Sequence, residues 1–300
     1  QSGNAQLGRA AFSAIKGLFD PSIGTSTNRT LEAVYEVSFG DLRRGRSIIR
    51  DILSHAWYFD SVADELRAAL NCSSLLVITG DTERAIELSL AHLAKCDALG
   101  LHSWRIEFQT YVCMLYCIKE DYDTAQDWLT IIEQEGRALD GASALRVLAC
   151  KLELCIIRGD QTSATRLLGS PELANLGDSL RGRSYFMSLG VRCRQILPTY
   201  QVDDAELDEL KQLYEQTRGL ACADCLVIAY AEALRRRSRL SDVEHLLTEY
   251  LTTTRRELGP ISPSLMRLVE NYRLSRSAAK RMTSGVNELA ASTIQACATP

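Results

Sequence analysis

Residues 108–132 read Phe108-Gln109-Thr110-Tyr111-Val112-Cys113-Met114-Leu115-Tyr116-Cys117-Ile118-Lys119-Glu120-Asp121-Tyr122-Asp123-Thr124-Ala125-Gln126-Asp127-Trp128-Leu129-Thr130-Ile131-Ile132. Phe108, Val112, Leu115 and Tyr116 recur at the three-and-four spacing of one helical face. Ala125, Trp128, Leu129 and Ile132 do the same on the far side of Glu120-Asp121. The stretch therefore predicts two helices joined by a tight polar turn. An Asp at such a turn accepts hydrogen bonds from the free amides that open a helix, and the residue before it ends the preceding helix. Ala125, being small, lets the two helices approach closely.

The same turn returns along the chain. Gly80-Asp81 is followed by Ala85, Gly159-Asp160 by Ala164, and Gly40-Asp41 by Gly45. Weaker copies are Val202-Asp203-Asp204-Ala205 and Arg239-Leu240-Ser241-Asp242-Val243, so the small position falls at 45, 85, 125, 164, 205 and 243, about forty residues apart. Strict two-residue alternation and Asn-Gly hairpin dipeptides are missing, which gives a sheet no support. A coiled coil needs an unbroken seven-residue pattern, and the Gly and Asp turns interrupt it. The expected fold is all-α, a right-handed superhelix of about six antiparallel helix hairpins. A repeat array uses three hundred residues as one elongated body as readily as a compact chain uses them as several domains.

Composition agrees with a folded chain: 46% hydrophobic, 24% charged and only 6 Pro. The net charge of -4 offers no general attraction to phosphate backbones, so direct nucleic-acid binding is not expected. Local basic runs at Arg43, Arg44, Arg46 and at Arg235, Arg236, Arg237, Arg239 lie near helix turns. There they complement the negative end of the preceding helix. No stretch approaches the roughly 18–20 apolar residues that span a bilayer, and no signal-peptide pattern opens the chain. A cytoplasmic location without membrane contact is expected. The start at Gln1 without Met suggests a piece of a longer polypeptide.

The units resemble the tetratricopeptide repeats, whose first helix carries a large, a small and then an aromatic or aliphatic residue ahead of a Gly-Asp-type turn. Val112, Cys113 and Tyr116 occupy those positions before Ala125, and Tyr230, Ala231 and Leu234 occupy them before Val243. Cys72, Ser73 and Leu76 keep the small middle residue, while Lys151, Leu152 and Cys155 depart from it. Leu258-Gly259-Pro260-Ile261-Ser262-Pro263 resembles the linker between kinesin-light-chain repeats and, with one residue inserted, the end of the activation domain in bacterial regulators. The period near forty, longer than the usual ~34, is similar to the long repeats of maltose-regulator-type transcription factors.

The groove that the resemblance implies is lined by the first helix of each unit. Carried over by count, its candidates are Arg67 and Ser74, Glu107, Thr110 and Met114, Arg146 and Glu153, Arg194, and Glu232 and Arg235. An Arg-rich stripe of this kind holds a peptide carboxylate or acidic segment through bidentate hydrogen bonds; alternatively these side chains form ion pairs within the array. Among them Arg146 and Arg194 are the foremost candidates.

Catalytic and metal chemistry find little support. His55, His92, His102 and His245 lack the flanks of a nucleophile triad or of a zinc-protease helix. Cys222-x-x-Cys225 is half of a zinc-site spacing without a second pair. The 10 cysteines, including the neighbours Cys113 and Cys117, are expected to be reduced core residues. No enzyme activity, metal or cofactor is expected.

The organisation that follows is an N-terminal helix around Ala10, Phe12, Ile15 and Leu18 with its link (1–26), helical repeats (27–258), and C-terminal capping helices or a linker (259–300). The break from Gly169-Ser170-Pro171 to Gly177-Asp178 is expected to bend the array and shape a pocket, because Pro opens helices but disrupts their interiors. The expected function is a non-catalytic scaffold that binds a protein or peptide. The rival is a ligand- or partner-sensing regulatory domain of a bacterial transcriptional regulator. Homo-oligomerisation through terminal helices is a further expectation.

Overall fold

The computed structural model describes residues 26–39, 42–54, 59, 61–135, 139, 141–170, 173, 180–197, 200–217, 224–255, 265 and 267–272. These residues are all-helical, and no strand occurs among them. The helices are α1 (Ser26–Phe39), α2 (Leu42–Ser54), α3 (Val62–Ile78), α4 (Thr82–Leu99), α5 (His102–Lys119), α6 (Tyr122–Gln134), α7 (Gly141–Arg158), α8 (Gln161–Leu168), α9 (Leu180–Gln195), α10 (Asp204–Thr217), α11 (Asp224–Arg236) and α12 (Leu240–Glu249). A π-helical turn, Tyr250–Arg255, continues α12. The expected N-terminal helix, the Gly40-Asp41 turn and the Leu258–Pro263 linker lie outside the described residues, as does most of the 259–300 stretch.

One turn geometry recurs before α4, α6, α8 and α12. The residue ahead of the helix cap is left-handed: Gly80 at φ 86°, Glu120 at 68°, Gly159 at 64° and Ser238 at 57°. The next amide then reaches back to close the preceding helix. Asp81 donates to the Leu76 carbonyl at 2.8 Å, Asp121 to Tyr116 at 3.0 Å, Asp160 to Cys155 at 3.0 Å and Arg239 to Leu234 at 2.9 Å. Asp81, Asp121 and Asp160 in turn accept from the amides of Arg84, Thr124 and Ser163 at 3.4, 3.2 and 3.0 Å. The Ser163 amide holds the Asp160 carboxyl below its ordinary range. A four-residue step from each cap lands on Ala85, Ala125, Ala164 and Val243, all buried. The first-helix residue facing this position touches it directly: Ser73 Oγ lies 3.4 Å from the Ala85 carbonyl and Cys113 Sγ 3.3 Å from that of Ala125.

The fifth copy needs a correction. Ala205 is exposed, because the cap is Asp203, which accepts the Glu206 amide at 2.7 Å. The step of four then lands on the buried Leu207, whose amide bonds the Asp203 carbonyl. The spacing rule survives, and the small residue does not.

Left-handed backbone suits Gly and strains other residues by about 1 kcal/mol. Glu120→Gly is therefore expected to raise stability by about 1 kcal/mol, and Gly159→Ala to lower it by about as much, although nothing lies within 4 Å of a Cβ at Gly159. Urea unfolding of both variants checks this. Shifts of the same sign would mean that side-chain contacts, and not the backbone, govern these turns.

The core is a chain of shared clusters. Ala33, Ile49, Cys72, Leu76, Ala85 and Leu115 join α1 to α5. Leu66, Leu93 and Phe108 fill the space among α3, α4 and α5. Cys113, Leu129, Cys150 and Leu154 join α5, α6 and α7, and Leu148, Leu152, Ala164, Leu189 and Cys193 join α7, α8 and α9. Odd-numbered helices also pack on one another, α1 on α3, α5 on α7, α7 on α9 and α9 on α11. The chain divides into two compact units, Gln1–Ile261 and Ser262–Pro300. In the second, residues 267–272 are helical and Leu265, Leu268 and Val269 are buried.

Candidate functional site

The odd-numbered helices carry polar side chains that meet from one helix to the next. Between α3 and α5, Ser74 Oγ lies 2.9 Å from Tyr111 Oη. Between α5 and α7, Arg146 pairs with Glu107 and donates through Nε to Thr110 Oγ1 at 3.0 Å and through Nη2 to Ser143 Oγ at 3.3 Å. Ser143 in turn donates to Glu107 at 3.4 Å. Between α7 and α9, Arg192 grips Glu153 with two parallel bonds of 2.7 and 2.9 Å. These two carboxylate-guanidinium pairs each span 39 residues, the interval of one helix-turn-helix unit.

The structure thus brings Glu107, Thr110 and Arg146 together, with Met114 packed beside them against the cores on both sides. Thr110 is fully buried, which removes it from any open groove surface. Glu153 is engaged, but its partner is Arg192. Arg194, expected on the same face, turns to α10 and pairs with Glu206 at 2.5 Å, its guanidinium 5.9 Å from the Tyr200 ring centroid. Two residues advance an α-helix by about 200°, so Arg192 and Arg194 address nearly opposite sides of α9. The interval of 39 separating Glu107 from Arg146 is the signal that leads from Glu153 to Arg192. Arg67 is 62% exposed and faces Asp64 on its own helix at 3.7 Å, and Arg235 pairs with Glu232 on α11 at 2.8 Å. None of these last three joins the cluster.

Near the expected break, α8 ends at Leu168, with Gly169 as its cap; Pro171 and residues 174–179 lie outside the described residues. Here Leu168, α9 and α10 line an open cavity of about 280 Å³ that Arg194 and Glu209 reach.

Within the basic runs Arg44, Arg235, Arg237 and Arg239 pair with carboxylates, and two other members reach the ends of neighbouring helices. Arg46 of α2 donates to the Thr79 carbonyl at the end of α3 at 2.9 Å, and Arg236 of α11 donates to the Gln195 carbonyl that ends α9. Cys113, Cys117 and Cys150 form a buried thiol cluster between α5 and α7. Hydrogen bonds with the Cys117 and Cys150 thiols shift Cys113 below the ordinary thiol range, against the opposing effect of burial. Cys117 is pushed up to about 12 by its bond to Cys113 and by burial. No group of three or more His, Cys or carboxylate side chains among the described residues has the geometry to hold a metal ion. Cys225 is partly buried, and its expected companion Cys222 lies outside the described residues. Nor is any helix among the described residues long and apolar enough to cross a membrane.

Compared with known proteins, the chain matches no family model and no curated protein.

Proposed function

We propose that residues 27–258 form a tetratricopeptide-like right-handed superhelix of helix hairpins that acts as a non-catalytic scaffold for a protein or peptide. The observation that carries this reading is the polar cluster of Glu107, Thr110, Ser143 and Arg146, which joins the first helices of two successive units. The recurrent turn before α4, α6, α8 and α12 supports the repeat. On this reading Glu107 and Arg146, whose side chains are 22% and 21% exposed, exchange part of their mutual pairing for contacts to a bound segment. Direct nucleic-acid and membrane contacts have no part in it. A cytoplasmic setting belongs to the same proposal, and the buried thiols of Cys72, Cys96, Cys113, Cys117, Cys150, Cys155 and Cys193 support a reducing compartment.

The test is a panned library of unstructured peptides, with contacts mapped by cross-linking. Cross-links are expected on α5 and α7, and Arg146→Lys, which keeps the charge but loses the planar fork, is expected to weaken the selected peptides by about tenfold. Cross-links confined to even-numbered helices, or no peptide surviving selection, would overturn the reading.

The cavity beside Arg194 favours a second reading, the ligand- or partner-sensing regulatory domain of a bacterial transcriptional regulator. A small molecule that raises the melting temperature of the chain and alters DNA binding by the full-length protein would support it. Pairing of two copies through terminal helices is part of neither reading, and a mass independent of concentration would exclude it.

A further inference from the structure

We propose that the cavity among α8, α9 and α10 binds a small zwitterion with an apolar side chain, namely a free apolar α-amino acid. Its walls are the side chains of Leu168, Leu173, Phe186, Met187 and Leu213, and among the described residues only Arg194 and Glu209 bring charge to it. A volume of about 280 Å³ stands at the small end of pockets that hold organic ligands. The occupant is therefore of amino-acid size.

The two charges are differently committed. Arg194 gives Nε and Nη2 to Glu206, at 3.2 and 2.5 Å, and among the described residues its Nη1 has no hydrogen-bond partner. That Nη1 would stand 3.4 Å from a Cβ placed on Gly190, so the free donor lies where the cavity runs up against bare backbone. Glu209 is exposed and carries no ion pair among the described residues. A simple anion gains little here, because Glu206 already offsets the Arg194 charge. A simple cation satisfies Glu209 and leaves Nη1 unused. A carboxylate on Nη1, an ammonium on Glu209 and, branching from the carbon that carries both, an apolar side chain against Leu168, Phe186, Met187 and Leu213 use the whole site.

Gly190 fits the same account. A glycine inside a helix is unfavourable relative to alanine, and at this position any larger side chain grows into the cavity, with Leu168 Cδ2 3.7 Å from the added Cβ.

Calorimetric titration of the chain with L-phenylalanine and L-leucine tests the proposal. Phenylalanine amide keeps only the ammonium and stands for a peptide N-terminus, whereas N-acetylphenylalanine keeps only the carboxylate and stands for a C-terminus. Saturable binding of at least one free amino acid is expected, with both analogues at least about tenfold weaker. Glu209→Gln is expected to weaken binding by a similar factor, and Gly190→Val to abolish it. Should Gly190→Val fail to fold, the exposed Glu209→Gln still decides. The proposal is overturned by an absence of saturable heat with either amino acid, by an analogue that binds as tightly, or by Glu209→Gln binding like the parent chain.

Discussion

Raising the pH from about 9 to about 11 is expected to remove roughly 5 kcal/mol of folding stability through two buried thiols, Cys72 and Cys193. Burial pushes each of them from the ordinary 9.0 up to about 12, and at Cys193 the nearby Glu153 carboxylate adds to the effect. The sign follows from proton binding. Above the unfolded value the unfolded thiols ionise while the folded ones stay neutral, so the folded state holds more protons and alkali favours unfolding. The contribution is intact below pH 9 and declines as pH rises toward the folded value.

At about pH 11 each thiol accounts for roughly 2–3 kcal/mol, which is a large fraction of the stability of an ordinary domain. The Cys113, Cys117 and Cys150 cluster adds no simple increment, because Cys113 is shifted down and its two neighbours up, and the three share their protons. Thermal unfolding between pH 7 and about pH 11, compared for the parent chain and a Cys72→Ala, Cys193→Ala variant, isolates the effect from lysines and tyrosines that titrate in both. The variant is expected to be less stable at neutral pH and flatter above pH 9. Parallel curves would show that these thiols ionise no more reluctantly in the folded chain than in the unfolded one.

What was legible in the sequence is what local chemistry determines. The 3.6-residue periodicity in 108–132 and the Asp caps at 81, 121 and 160 act within a few residues, and the helices, turns and buried Ala85, Ala125 and Ala164 lie where that chemistry puts them. Counting across a turn of different length was less secure. Between α9 and α10 the connection runs over residues 196–203, against 79–81 between α3 and α4. Counting by the forty-residue interval selects the small Ala205, whereas the step of four from the Asp203 cap lands on Leu207. On α9 the same procedure chose Arg194, and a displacement of two residues carries a side chain around the helix to a different neighbour. Most of the expected break at 169–178 lies outside the described residues, and the cavity that Leu168 lines draws its other walls from separate helices that only tertiary packing assembles. Whether Glu107 and Arg146 face a ligand or each other is also a tertiary matter, and here they face each other.

That mutual engagement makes the second large effect predictable at the pair with least solvent, Glu153 and Arg192. Their side chains are 12% and 14% exposed, and both oxygens of Glu153 are taken by the guanidinium. Burial alone disfavours the Arg192 charge, yet Coulombic attraction and hydrogen bonding to Glu153 more than reverse this, and the guanidinium holds its proton more firmly than in water. Removing one member leaves the other charge buried without its counter-ion. Arg192→Met is accordingly expected to cost about 3–5 kcal/mol, and Glu153→Met a comparable amount. The double variant replaces the pair by two flexible apolar side chains and is expected to regain most of that loss, since a buried pair and a well-packed apolar substitute are often of similar stability. Urea unfolding of the four proteins in a double-mutant cycle supplies the coupling energy. A coupling below about 1 kcal/mol, the range of exposed pairs, would mean that solvent screens these charges. The pair would then contribute little to holding α7 against α9. A coupling of several kcal/mol would make this contact a fixed point between α7 and α9, on the side of α9 nearly opposite to Arg194 and its bonds to Glu206.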